Sequence, residues 1–318
     1  MTSRTSHGYS AVILNYGQWQ ATLACLESLY SSSLPPERVV VCDNPSGDDS
    51  LRHLAFWAEA QLQAGRISSW RLVSNPANTP ASPNDSQAEL ILIDNGANLG
   101  YAGGNNRGLR YLLDLGAEYI WLLNNDTIVL PDAPAALLDY MGENQRCGLC
   151  GALTRYMETP DIVQCYGGGW YHEIWGRGGL YGDGDMLPLG QVPLDFAPPL
   201  DYVNGASVFL RRAFLVDVGL MEERYFLYCE EIDWARRARG CWALGFAPRA
   251  TVLHMEGLST GMSNRRRLGR SFKIMLRLVR SRLLFTLLHC PWFLPTVALG
   301  QAVAAIGKIC KVALPVRK

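Results

Sequence analysis

The chain has 318 residues, 48% of them apolar and 18% charged, and its formal net charge is zero. That length and balance allow a full buried core and exclude a disordered chain. The charge is unevenly placed: residues 257–318 carry twelve Lys and Arg and no Asp or Glu, which leaves 17 basic against 29 acidic groups in residues 1–256. So acidic a main part argues against nucleic acid as its substrate, because a phosphate backbone demands clustered positive charge.

Residues 1–9 are polar, with no apolar stretch of signal-peptide length. Ala11–Leu14 reads as a strand, Thr22–Tyr30 as a helix with Leu23, Leu26 and Leu29 on one face, and Arg38–Cys42 as a second strand. A helix over Leu51–Leu62 follows, then a polar Pro/Asn/Ser stretch over Ser74–Ser86 that reads as a surface insertion. Leu90–Ile93 is a third strand, Leu109–Leu115 lies in a helix, and Tyr119–Leu123 is a fourth strand. Continuous apolar runs separated by helices predict a parallel sheet covered on both faces. Ligands of such sheets bind outside the carboxyl ends of the strands. Polar clusters stand at each of those ends: Asn15-Tyr16, Asp43-Asn44, Asp94-Asn95 and Asn124-Asn125-Asp126-Thr127. One such cluster is a helix cap; four in succession predict a polar crevice.

The second half is less regular. Tyr166–Asp185 holds eight glycines and five aromatics, a content expected of a mobile loop or hairpin and not of a core strand. Its Trp170, Tyr171, Trp175 and Tyr181 serve either a sugar ring or their own packing, and both remain open. Asp201–Leu210 and Arg249–His254 read as strands, Arg211–Val218 and Glu231–Arg239 as helices. The nine cysteines are scattered and odd in number, and Cys147 and Cys150 form one CxxC with no second pair at zinc-site spacing. They read as ordinary cysteines of a reduced, cytosolic-facing protein.

The glycine-rich run from Asn98 to Gly108 opens a helix, where backbone amides can approach an anion, although it fits neither the dinucleotide fingerprint nor a phosphate-binding GK[ST] loop. Asp126 at the sheet's carboxyl edge suits the sparse carboxylate ligation of Mg²⁺. Capping the next helix is its competing role, and Pro131 with Asp132 already fills that. Asp233 and Arg237 are spaced to pair at i, i+4, which frees the adjacent Glu230 and Glu231; neighbouring carboxyls raise one another's pKa, as a general base near neutrality requires. His254 ends a strand and becomes a ligand candidate once Asp126 needs a second one.

In order and spacing, VILNY, VVVCDNPSGDDS, NLGYAGGNNRG, WLLNNDT, DYVNGASVFLRR, GLMEERYFLYCEEIDWARRAR and PRATVLHMEGLS resemble family 2 glycosyltransferases of the GT-A fold, in their rhamnosyltransferase-like branch, from about Val12 to Ser259. The resemblance implies an α/β fold of GT-A type: a mostly parallel central sheet with helices on both faces, plus C-terminal helices. It implies that Asn15 and Asp43 face a pyrimidine base, and that Asn98, Gly103, Asn106, Asn124 and Asn125 line the nucleotide-sugar site. Asp126 and His254 would hold Mg²⁺ or Mn²⁺, and Glu231, or else Asp233, would be the base. Trp170, Gly205 and Glu230 would meet the acceptor. Two departures stand out: Asn124 replaces the first Asp of the metal motif, and Glu231 replaces the catalytic Asp. One base and no covalent nucleophile imply inversion.

The expected substrate is a dTDP- or UDP-sugar, with dTDP-rhamnose favoured. The expected acceptor is a saccharide or lipid-linked hydroxyl in cell-surface polysaccharide synthesis. A galactofuranosyl or glucosyl transferase, or a non-catalytic nucleotide-sugar-binding membrane protein, are the alternatives. Residues 1–260 are expected to form the transferase domain and residues 261–318 a membrane-associating segment. There, Asn264–Arg282 carries seven Arg and one Lys among apolar residues, and Pro291, Pro295, His289 and Gln301 interrupt the apolar stretch Leu283–Ile306. That pattern predicts helices lying in the interface rather than a span. The expected location is the cytoplasmic face of the cell membrane, peripherally bound.

Overall fold

A computed structural model describes residues 8–74, 89–255 and 268–313. The polar insertion falls almost wholly outside the described residues, as do Glu256, Gly257 and Asn264 to Arg267 of the basic segment. The first half consists of β1 (Ser10–Asn15), α1 (Trp19–Tyr30), β2 (Arg38–Asp43), α2 (Ser50–Gln63), β3 (Trp70–Ser74), β4 (Leu90–Asp94), α3 (Gly100–Asp114) and β5 (Tyr119–Asn124). Its strands pair in parallel in the order β3-β4-β2-β1-β5.

The continuous apolar runs follow from burial on both sides. Ala11, Ile13, Val39, Val41, Leu90 and Leu92 pack against α1 and α2, while Val12, Val40, Ile91 and Ile93 alternate to the opposite face against α3. Each of the Val, Ile and Leu side chains contributes about 1.5–3 kcal/mol by leaving water. Strand β3 has no counterpart in the sequence reading. It is an edge strand with Val73 alone fully buried, so its sequence carries no apolar run.

The chain then forms β6 (Thr127–Val129), α4 (Ala133–Glu143), β7 (Cys147–Tyr156), β8 (Val163–Tyr166), β9 (Gly168–His172), β10 (Arg177–Leu180), β11 (Tyr202–Val203), β12 (Ser207–Arg211), α5 (Arg212–Val218), α6 (Glu230–Ala238) and β13 (Ala243–His254). Strand β12 inserts antiparallel between β5 and β7, and β13 runs parallel to β7. Short β6 closes the far edge against β13. The result is a mixed, mainly parallel sheet with helices on both faces.

One expectation needs correction. Asp201–Leu210 is not one strand: β11 joins a small antiparallel sheet with β9 and β10, and the chain turns through Asn204–Ala206 before β12. The glycine-rich segment forms the expected hairpin, β9 with β10, and its glycines serve close packing: Gly168 and Gly169 sit where a side chain would strike the carbonyls of Tyr202 and Gly179. Cys147 and Cys150 are both buried on β7, so their CxxC is part of the core, in keeping with the reading of ordinary cysteines.

The C-terminal helices α7 (Leu268–His289) and α8 (Leu294–Ala313) are fastened to the rest of the chain. One stripe of α7 at i, i+4 spacing faces inward. Ser281 donates to the carbonyls of Tyr225 and Leu227, Phe285 meets Tyr171 edge-on at 5.0 Å, and His289 reaches Asp233. Among the described residues no helix is long and apolar enough to cross a membrane.

Candidate active site

The strand ends converge as the parallel pairing requires. Asn15 pairs in register with Asp43, and Asp43 with Asp94. Asn15 itself is closed to solvent: its amide donates to Asp43 Oδ1 (2.5 Å) and its oxygen accepts from Thr22 (2.6 Å). It orients Asp43 rather than lining the crevice. Burial pushes the Asp43 carboxyl up, and the Asn15 hydrogen bond partly offsets this. Asn125 is likewise tied into the interior, donating to Thr22 Oγ1 at 3.1 Å. Asn44 is a fastener: it donates to the Gly100 carbonyl (3.0 Å) and accepts from Asn95 (2.9 Å) and from the Leu99 amide (3.3 Å).

The glycine run works differently from the anion cradle its sequence suggests. A side chain at Gly104 would strike Leu14, and one at Gly108 would strike Val12, so this face of α3 is stripped to let the helix lie on the sheet. Gly100, at φ +74°, gives way to the carbonyl of Phe226. Gly103 faces Leu99 and Glu223, not the crevice. Asn106 also leaves the predicted set, because its amide donates to the Met221 carbonyl (2.8 Å) and to Glu223 (2.9 Å) while its oxygen accepts from the Met221 amide (3.1 Å). Of the expected lining residues, Asn98, Asn124 and Asn125 border a cavity of about 410 Å³ at the strand ends, together with Tyr16.

Asp126 and His254 are brought together by the pairing of β6 with β13, in which His254 lies opposite Thr127. Asp126 is 5% exposed, and its Oδ1 lies 3.2 Å from His254 Nε2 yet takes part in no hydrogen bond. His254 Nδ1 lies 2.8 Å from Gln164 Oε1. An amide oxygen only accepts, so Nδ1 carries the proton, and in the neutral imidazole Nε2 turns its lone pair toward the carboxylate. Two electron-rich atoms facing each other in a buried site suit a shared cation. The Gln164–His254 bond is the orienting contact that metal-binding histidines use. Among the described residues no three His, Cys, Asp or Glu side chains form a complete metal cage. A Mg²⁺ or Mn²⁺ ion here could complete its shell with diphosphate oxygens and water. Gln164 had no sequence signal; only the pairing of β8 with β7 places it.

The two candidate bases separate cleanly. Asp233 is 2% exposed and accepts from Arg237 (2.7 Å), His289 (2.6 Å) and Tyr225 (3.2 Å). Burial alone would raise its pKa, but the hydrogen bonds from His289 and Arg237 outweigh that and hold the carboxyl below the usual range. It fastens α6 to α7 and is not a base for the crevice. Replacing it, Asp233→Asn, leaves Arg237 and His289 short of their anion and is expected to cost about 3 kcal/mol in urea unfolding at pH 7. Because the folded pKa is depressed, that contribution is present above the unfolded pKa and fades as pH falls toward the folded one.

Glu231 is half-buried, and its Oε1 occupies the space a side chain at Gly205 would fill. Burial pushes its carboxyl up to about 7. Gly205 is thus the floor under Glu231; its carbonyl accepts from the Tyr101 hydroxyl (2.6 Å), and the carbonyl of adjacent Ala206 accepts from the Asn124 amide (3.1 Å). These contacts join Glu231 to the turn at 124–126. Glu230 is 1% exposed and closed to an acceptor, and burial together with the neighbouring Glu231 raises its pKa strongly. The backbone that presents the pair is strained, with Phe226, Tyr228 and Cys229 all at positive φ. Trp170 is 41% exposed on β9, open to an acceptor ring, whereas Tyr171 is buried against α7.

Residues 10–164 match the family model of glycosyl transferase family 2. This segment is a family 2 glycosyltransferase domain. The chain is 26% identical over 231 residues to the N-acetylglucosaminyl-diphospho-decaprenol L-rhamnosyltransferase of Mycobacterium tuberculosis, covering 65% of this chain and 72% of the relative. It is 26% identical over 175 residues to the low-salt glycan biosynthesis hexosyltransferase Agl10 of Haloferax volcanii, 54% of each chain. The GT-A fold is shared with GalNAc-T7, solved with UDP, GalNAc and Mn²⁺ (TM-score 0.53, 13% identity, 80% of this chain and 45% of that one). It is shared also with the mannosyltransferase PcManGT from Pyrobaculum calidifontis in complex with GDP-Man and Mn²⁺ (TM-score 0.53, 17% identity, 95% and 76%). The glycosyltransferase thus spans less than half the length of GalNAc-T7.

Proposed function

We propose that this glycosyltransferase moves a sugar, with inversion, from a nucleoside diphosphate to a hydroxyl of a saccharide or lipid-linked acceptor in cell-surface polysaccharide synthesis. The observation that carries the reading is the linkage of Glu231, through Gly205 and Ala206, to the turn bearing Asp126, whose buried oxygen lies 3.2 Å from the Nε2 of His254. Glu231 takes the proton of the acceptor hydroxyl, whose oxygen then bonds to the anomeric carbon as the nucleoside diphosphate leaves from the opposite side. Beside Glu231, among the described residues, Glu230 is closed to solvent and Asp233 is consumed by Arg237 and His289, which leaves neither to form a covalent intermediate, and the proposed single displacement inverts the centre. A divalent cation held by Asp126 and His254 would supply stabilisation of the charge growing on the departing diphosphate.

The name of the Mycobacterium relative supports rhamnose as the sugar and a lipid diphosphate as the acceptor, and dTDP-rhamnose is the proposed donor. Membrane attachment on the cytoplasmic face is part of the same reading. Leu287, Leu288, Trp292, Leu299 and Val303 expose apolar surface on α7, on α8 and between them, in a segment without acidic residues. The test is a transfer assay with dTDP-rhamnose, UDP-glucose, UDP-galactofuranose and GDP-mannose on a lipid-linked saccharide, with Mg²⁺ or Mn²⁺. Turnover of dTDP-rhamnose is expected. Turnover of a UDP-sugar instead would replace the donor, and hydrolysis or transfer of none would overturn the reading.

A further inference from the structure

The basic segment divides its charge between two faces of α7. The inward stripe that carries Ser281, Phe285 and His289 continues by the same i, i+4 step to Arg277 and Lys273, and these two line the cavity at the strand ends. A helix whose cations served only an anionic lipid surface would turn them outward. Here they stand across the cavity from Tyr16, Asn98 and Asn124, and the cavity's lining includes no carboxylate, although residues 1–256 are strongly acidic. Arg277 is set in place by the Phe226 ring, with its guanidinium carbon 4.5 Å from the centroid. Arg280 and Ser281, one turn on, bond to the carbonyls of Arg224, Tyr225 and Leu227, so α7 is anchored at the cavity's edge.

From this placement we propose that Lys273 and Arg277 bind the phosphates of the donor nucleoside diphosphate. The C-terminal helix is then part of the donor site, in addition to any part it has at the membrane. The chemistry is that of cations facing phosphate: charge-assisted hydrogen bonds, bidentate from Arg277 and single from Lys273. The proposal rests on the reading of this cavity as the donor site. Because Asn124 replaces a carboxylate in the metal motif, the site has one fewer anion to hold a metal, and direct cations offset that loss at the diphosphate. Both side chains are exposed, so their substitution leaves the fold intact.

The experiment is calorimetric titration of the full chain with UDP, dTDP and GDP, and with uridine, thymidine and guanosine, in Mg²⁺. The proteins are the wild type, K273Q, R277K and the double variant K273Q/R277Q. Vesicles of phosphatidylcholine with and without phosphatidylglycerol form a parallel arm. The double variant is expected to bind the preferred nucleoside diphosphate roughly 10-fold or more weakly, with R277K intermediate and the nucleoside unchanged. Equal weakening of nucleoside and nucleotide would mark a merely structural role and overturn the proposal. Unchanged nucleotide affinity overturns it too, and if binding to the anionic vesicles then falls, the two cations face lipid. A wild type that binds none of the three nucleotides removes the donor-site reading itself, which is a different failure from that of α7 alone.

Discussion

Glu231→Gln is expected to lower kcat by about 10²–10⁴ while nucleotide affinity is unchanged. The amide keeps the shape that rests on Gly205 but cannot take the acceptor's proton. Burial pushes the Glu231 carboxyl up to about 7, so in the wild type the protonated, inactive form prevails at lower pH. The rate is therefore expected to rise with pH through a midpoint near that value, and the variant loses this limb. Asp233→Asn gives the contrasting result: it unfolds more easily, but what folds keeps the rising limb. Steady-state kinetics from pH 5 to pH 9 on both variants separates base from fastener. Full transfer activity in Glu231→Gln would end its assignment.

The second large effect concerns the cation. In the wild type, Mg²⁺ or Mn²⁺ is expected to tighten nucleoside diphosphate binding. In Asp126→Ala and His254→Ala this gain is expected to fall by about 10²-fold or more, because each would remove one of the two proposed protein ligands. Gln164→Leu is the subtler variant. It leaves both ligands but frees the imidazole to turn and to place its proton on Nε2, and a loss of about 10–100-fold in metal affinity is expected. Titration of each variant with dTDP or UDP, with and without metal, reads these effects directly. A metal-independent wild type would overturn the assignment of Asp126 and His254 as metal ligands.

These expectations draw on different depths of the chain. The parallel half-sheet, the crevice at its carboxyl edge and the special place of Asp126 are all legible in local sequence. A strand buried on both faces must be apolar throughout, and where it surfaces the chain must turn polar. Helical spacing likewise announced the Asp233–Arg237 pair, which the structure holds at 2.7 Å. Glycine content was legible but not its purpose. A bare backbone serves an approaching anion or an approaching strand equally well, and only the contacts of Gly104 with Leu14 and of Gly108 with Val12 decide for the strand.

What tertiary structure alone decided is the division of labour among the polar residues. Asn15 and Asn106 looked like ligand contacts because buried amides and ligand-binding amides have the same sequence signature. The structure instead spends their hydrogen bonds on Asp43 and the Met221 backbone. The choice between Glu231 and Asp233 turns on His289, 56 residues away on a helix that local sequence assigned to the membrane. That same helix brings Lys273 and Arg277 to the crevice. Sequence determined which residues could do chemistry here, since propensity and patterning act over a few residues. Which of them is free to do it was set by packing between distant segments, because a carboxylate's role depends on the partners that reach it.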